Sequence, residues 1–419
     1  MFMAKSLFYI VFCFNLSLFV TAQIEETNPP DYIKTITFKS ASNPQGQLPI
    51  LQLGEAFDLE FDALVNDEPD FYYTIEHYDY DWTKSQLVKL EYMDGFDNFR
   101  IVNYQNSLNA FQLYSHYKLS IPNRQTRALT KTGNYLMSIY NEYDELVFSR
   151  KFMIYQPRLG VGVSIKRKRD VKFIDQKQTV DITINSGGIN LNNPNETVKV
   201  LIIQNNNLYT AIKNIKPQYT IGSELIYRYV DKTAFWGSNE FRFFETKEVR
   251  AANVAVQFTD LLDIYQTYLF VDAPRAGEPY TFNPDINGNF LVTAIDVQDV
   301  DIEADYTMVH FKLQYPKIAD GSRIFVYGNY NNYALAPENE LTFNSENGLY
   351  ESSFRLKQGF YNYKYVVVDA EGYLDEGRIS GDYWQTENDY KVLVYYRDLG
   401  ARFDSLIGYG QATSVNISN

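Results

Sequence analysis

Residues 77–96 read HYDYDWTKSQLVKLEYMDGF. A histidine, the carboxylates of Asp79, Asp81, Glu91 and Asp94, two lysines and several aromatic rings stand together there. Aromatic faces grip flat ligands and sugars, and a histidine beside acids is the material of general acid–base chemistry. The same residues also describe a strand running into a loop. The chain has three histidines, His77, His116 and His310. None lies in an HExxH pattern, no two are paired at helical spacing, and no GxSxG elbow is present. His77 and His310 fall inside strand patterns, where a structural role is expected. A Ser-His-Asp triad assembles in space rather than along the chain, and no motif supports one here.

The run DVQDVDIEAD, read as an extended segment, places Asp299, Asp301, Glu303 and Asp305 on one face. Carboxylates so spaced can share a calcium ion. The glycine bend and closing glutamate of an EF-hand are missing, so a solvated strand edge that resists edge-to-edge pairing is the expectation. Paired acids also serve glycoside hydrolysis, but among 52 acidic residues chance pairs are too common to count.

The chain opens MFMAKSLFYIVFCFNLSLFVTAQ. A lysine, an apolar run and a small-residue site ending at Ala22 predict a secretory leader over residues 1–22. The run is short for a membrane span. The single cysteine, Cys13, lies in that leader without the small preceding residue of a lipid-anchor site. The remaining chain therefore has no disulfide, thiolate metal site or cysteine nucleophile. A net charge of −14 disfavours nonspecific nucleic-acid binding. The one basic cluster, Lys166–Arg169, reads as the solvated part of a strand that begins VGVSI.

The elements that must position these residues are strands. FDLEFDA, FYYTIEHY and GNYLMSIYNEYDELVFSRKFMIY alternate with period two, the last as a hairpin. QPRLG at 156–160 and the Pro/Gly-rich stretch at 273–289 break the pattern. An all-β chain of three consecutive immunoglobulin-like antiparallel sandwiches follows, over 23–156, 157–285 and 286–419. TDLLDIYQ, around Leu261, is the one short helix expected there. The strands are too short and irregular for an outer-membrane barrel.

Three resemblances refine this. Residues 328–372 resemble starch-binding sandwich modules, with Asn332-Tyr333 where those carry Asn-Trp. That makes Tyr330, Asn332 and Tyr333 the glycan-contact candidates, although loss of the tryptophan removes the best sugar platform. YYTIEHYDYDW resembles the sandwich that follows sensor propellers in hybrid histidine kinases, which favours Trp82 as a packing anchor. The longest resemblance runs from about Asp31 to Tyr409. It is carried by YDYDWTKSQLVKLEYMDGF, NSLNAFQLYSHYKLSIPN, TGNYLMSIY, VLIIQNNNLYTAIKNIKPQY, GSNEFRFFETKEV and DYKVLVYYRDLGARFDSLIGY. The chain so resembles the plug protein family of the type IX secretion system, departing at Asn206-Asn207.

That resemblance implies a periplasmic, non-enzymatic protein that reversibly occupies the periplasmic mouth of a giant outer-membrane translocon barrel. It implies no cofactor, metal, small-molecule substrate or membrane span of its own. The first block is the expected docking end, with Trp82, Tyr92, Phe96, His116 and Tyr117 as interface candidates. The alternative is a periplasmic glycan-binding protein of polysaccharide uptake.

Overall fold

Alternating apolar residues bury one face of each strand, and the first block shows how. In Phe57–Ala63 the side chains of Phe57, Leu59, Phe61 and Ala63 all point into a core. Its neighbour Ser115–Ile121 alternates buried and half-buried along its whole length, and Phe61 stacks on Tyr117 across the pair at 5.2 Å. The computed structural model describes residues 24–45, 48–65, 67–415 and 417; the expected leader lies outside them.

Two sheets form this first sandwich. One orders Ile33–Ser40, Phe57–Ala63, Ser115–Ile121 and Tyr104–Asn106. The other orders Ile50–Gln52, Leu146–Tyr155, Gly133–Tyr140, Tyr72–Tyr78 and Phe99–Arg100. The hairpin expected near residue 140 pairs Gly133 with Ile154 at its open end.

The second sandwich corrects the expected boundaries. One sheet contains Gly160–Arg167, Lys177–Asn185, Glu224–Tyr227 and Tyr219–Ile221. The other orders Asn207–Ile212, Val198–Gln204, Asp389–Tyr396 and Ser405–Thr413. The last two strands, expected in a block over 286–419, therefore complete the second sandwich. The third is an insertion within it, and the border at 285/286 separates no sheets. The reason is burial on both faces. Val198, Val200 and Ile202 pack with Val392 and Val394 in the second core. Leu201, Ile203, Leu393 and Tyr395 point the other way, against Tyr80, Trp82, Leu136 and Met153 of the first sandwich. The continuous apolar run VLVYY is the signature of a strand covered on both faces.

The turn before Asn207–Ile212 is made by Asn205 and Asn206, both at positive φ (49° and 61°). Asparagine tolerates this region, as a tight hairpin turn requires. The insertion leaves past Gly237 and returns past Tyr383. A Cβ on Gly237 would lie 2.1 Å from the Tyr383 carbonyl oxygen, so the crossing of the two linkers excludes any larger residue.

The inserted unit is one ten-stranded sheet. It folds over at Glu340–Asn344, whose first residues pair with Arg323–Tyr327 and whose last pair with Leu349–Lys357. The helix expected near Leu261 is instead a hairpin of Val256–Leu261 and Tyr265–Leu269. Leu261 and Leu262 are both exposed at its turn, so their adjacency never made a helix face.

The first sandwich also touches the insertion, and the contact is ionic. Asp62 is 0% exposed and Lys357 1%. Their ion pair is 2.7 Å long. The Tyr306 hydroxyl donates to Asp62 Oδ2 at 2.6 Å, and His116 Nδ1 lies 2.7 Å from Oδ1. Burial alone would raise the Asp62 pKa, but Lys357 and His116 together hold it below the usual carboxylate range. Replacing Lys357 with Met is expected to cost about 3–5 kcal/mol, because it strands a buried carboxylate. The double variant D62N/K357M is expected to recover part of that loss. Urea unfolding of the variants checks both.

Candidate functional site

His77 opens the aromatic stretch and is almost fully buried. Its Nε2 is 3.1 Å from the Thr132 carbonyl oxygen and its Nδ1 is 2.8 Å from Ser85 Oγ. A carbonyl only accepts, so Nε2 carries the proton and Nδ1 accepts from Ser85. Burial pushes the imidazole pKa down to about 4. A neutral ring with both nitrogens engaged and no solvent path is a structural group, as the strand pattern predicted.

The next aromatics form the seam between the first and second sandwiches. The Tyr80 hydroxyl donates to the Val200 carbonyl at 3.1 Å and accepts from Asn214 N–H at 2.8 Å. Trp82 sits at positive φ in a tight turn, buried, with Lys151 Nζ 4.7 Å from its ring centre. Arg397 bridges the acids of this seam, 2.6 Å from Asp79 and 2.9 Å from Asp404. Trp82 is therefore a packing anchor.

The other interface candidates divide. Tyr92 and Tyr117 are buried in the first core, and His116 is committed to Asp62. Trp82, Tyr92 and Tyr117 thus have no free face to offer a partner, because their rings supply the core area that the sandwich requires. Phe96 is 67% exposed. The neighbouring surface residues carried a signal that went unread: Val88, Leu90, Phe99 and Val102 are exposed too, Leu90 by 75% and Val102 by 77%. Leu108, Phe111 and Leu113 continue the series. All fall between Tyr78 and Ser115, in the non-alternating runs LVKL, FRIV and LNAFQL, and all but Phe99, which pairs with Tyr73, lie outside the strands. The far end of this stretch leans on the insertion: Leu108 N–H donates to Ile302 O at 2.8 Å, and the Phe111 ring meets Tyr265 edge-on at 5.2 Å. Residues 88–102 are tied instead to the second sandwich, by the ion pair of Glu91 with Arg402.

The acidic run does not form an extended carboxylate face. It winds into a helical turn, Val300–Glu303, capped by the Asp299 side chain accepting from Asp301 N–H. Glu303 accepts from Asp299 N–H at 2.8 Å, and Asp305 accepts from Phe111 N–H at 2.8 Å and Gln112 N–H at 3.1 Å. These carboxylates satisfy backbone donors instead of converging on an ion. Glu60, His116 and Asp301 do bring potential ligand atoms within 4.8 Å of one another. Lys39 Nζ already supplies the cation there, 2.5 Å from Glu60 and 3.7 Å from Asp301.

The glycan candidates offer no platform. Tyr333 is buried, its hydroxyl donating to Asn205 O at 2.8 Å across the junction with the second sandwich. Tyr330 donates to Val326 O at 2.8 Å and stacks on Phe354 at 5.5 Å. The Asn332 amide donates to Glu26. These side chains hold loops together and present no stacked face to solvent.

Three β-units packed through buried seams, with exposed apolar residues on the first, make up an all-β chain. Residues 33–156 match the family described as "Type 9 secretion system plug protein 1st domain". The first sandwich thus belongs to the type IX secretion system plug protein family. The chain is also similar over its length to a crystal structure of a hypothetical protein from Parabacteroides merdae ATCC 43184. Their sequence identity is 30%, the match covers 94% of this chain and 100% of that one, and the TM-score is 0.89. No curated protein matches the chain. No helix among the described residues is long and apolar enough to cross a membrane.

His77 gives this region an acid-sensitive core. Its folded pKa lies below its ordinary value of 6.5, so stability is intact above pH 6.5 and falls as pH drops toward 4. Between pH 7 and pH 5 the wild-type chain is expected to lose about 2 kcal/mol more than H77Q. Chemical unfolding at the two pH values measures the difference.

Proposed function

We propose that this chain is a non-enzymatic periplasmic plug that reversibly occludes the periplasmic opening of the type IX translocon barrel. The observation that carries this reading is the exposed apolar series Val88, Leu90, Phe96, Phe99 and Val102, which lies inside the family-matched region. Five large apolar side chains left in water within fifteen residues supply the kind of surface that a partner covers. The buried seams support the same reading, since a stopper must carry load without its parts sliding. The apolar face supplies binding energy, and release requires only a barrel state that binds it a few kcal/mol less well. The glycan-binding alternative draws no support from Tyr330 and Tyr333, whose rings are spent on packing.

Phe96 and Val102 are exposed enough to change without disturbing the core. The variant F96D/V102D is expected to fold normally but recover at least tenfold less translocon barrel in pull-downs from solubilised outer membranes. Cells carrying it are expected to admit more of a large antibiotic normally excluded by the outer membrane. V171D, at an exposed site on the second sandwich, serves as the control and is expected to behave as wild type. Undiminished capture by F96D/V102D, with unchanged permeability, refutes the assignment of this face.

A further inference from the structure

Between the first sandwich and the insertion lies a cavity of about 80 Å³, walled by Ile36, Phe38, Leu48, Phe354, Leu356 and Tyr361. Ligand sites favour such junctions between packed units, with apolar walls and a few convergent polar groups.

Arg150 also lines this cavity. It is 7% exposed, and its one hydrogen bond to protein runs from Nη1 to the adjacent Ser149 carbonyl at 2.9 Å. The other buried cations among the described residues, Lys168, Lys357, Lys364 and Lys391, each have a carboxylate within 4.0 Å. Arg150 alone has none. The cavity's acids are already engaged. Glu338 pairs with Lys34 at 2.6 Å. Glu26 accepts from Lys151 N–H and from the Asn332 amide, and it attracts Arg150 only from beyond ion-pair distance. Burial accordingly pulls the Arg150 pKa below its ordinary value, Glu26 offsetting part of the effect. Its guanidinium lies 5.6 Å from the Phe148 ring centre, and a guanidinium so buried with no carboxylate partner is costly unless an anion joins it. A polar group of the insertion lines the cavity as well: Asn331 Oδ1 is buried without a hydrogen-bond partner.

We propose that this cavity binds a small apolar carboxylic acid bearing a hydroxyl or amino donor, with its carboxylate on Arg150. The guanidinium fork matches a carboxylate in two parallel hydrogen bonds. Asn331 Oδ1 accepts the ligand's donor, and Phe354, Leu356 and Tyr361 cover its hydrocarbon part. A branched α-hydroxy or α-amino acid of six carbons has this chemistry. The site is separate from the exposed apolar series, so it does not depend on the proposed plugging role.

Isothermal titration of the full chain with 2-hydroxy-4-methylpentanoate tests the proposal, with the corresponding amide as the uncharged counterpart. The acid is expected to bind at least tenfold more tightly than the amide, and R150M is expected to lose that preference. Equal binding of acid and amide by the wild-type protein, or no binding of the acid, overturns the proposal whether or not R150M folds. Unchanged acid binding by a folded R150M also overturns it.

Discussion

Two neighbouring strands, Val198–Gln204 and Asp389–Tyr396, have no face turned to water, and the arrangement of the whole molecule follows from that. A strand alternates its side chains between two faces, so an apolar residue at nearly every position requires two cores. Here Val200, Val392 and Val394 enter the second sandwich's own core, while Leu201, Leu393 and Tyr395 enter a core shared with the first sandwich. Separating the two sandwiches would expose a complete sheet face. The first two units therefore behave as one body, and the insertion, whose linkers cross at Gly237, is held between its own root and the first sandwich.

Tyrosine suits such seams. Its ring provides apolar area, and its hydroxyl requires one partner that fixes the register of the contact. Tyr395 donates to Asn134 at 2.6 Å across the first seam. Tyr114 donates to Ala304 O at 2.7 Å, and Tyr306 to Asp62, across the second. Tyr333 spans the third to Asn205. The 36 tyrosines of the chain are to this extent internal mortar. A purely apolar seam would bind as strongly but specify its alignment less well, because hydrophobic contact is non-directional.

Period-two alternation makes a strand such as Phe57–Ala63 legible because one of its faces meets solvent or a half-buried surface. The same reasoning fails for YKVLVYY, where alternation disappears and sequence proximity assigns the strand to the wrong unit; its true partner, Val198–Gln204, lies nearly two hundred residues upstream. The helix expected around Leu261 fails for a related reason: adjacent apolar residues at a hairpin tip imitate one turn of a helical face. The site suffers most. Aromatic identity directs attention to Trp82, Tyr92 and Tyr117, yet large rings are what a core consumes first. The informative residues were the ordinary aliphatics Val88, Leu90 and Val102, which lie outside any alternating pattern and so have no core to enter. Arg150 was illegible altogether. Its position in an alternating strand says nothing about the missing partner, which only the packing of a second unit reveals.

The placement of the exposed apolar series has a physical logic of its own. Apart from Phe99, which pairs with Tyr73, these side chains lie outside the strand ladders, so they can be chosen for a partner at little cost to the fold. Mounted on a loose sandwich, such a face would lose much of its binding energy to ordering the units behind it. Here the far end of the stretch is pinned to the insertion through Leu108 and Asp305, and the sandwich beneath is joined to the second through doubly buried strands. Contact made at residues 88–102 is thus transmitted to the whole mass of the protein. For a body proposed to block a wide pore, that coupling turns a modest adhesive surface into an obstruction the size of the entire chain.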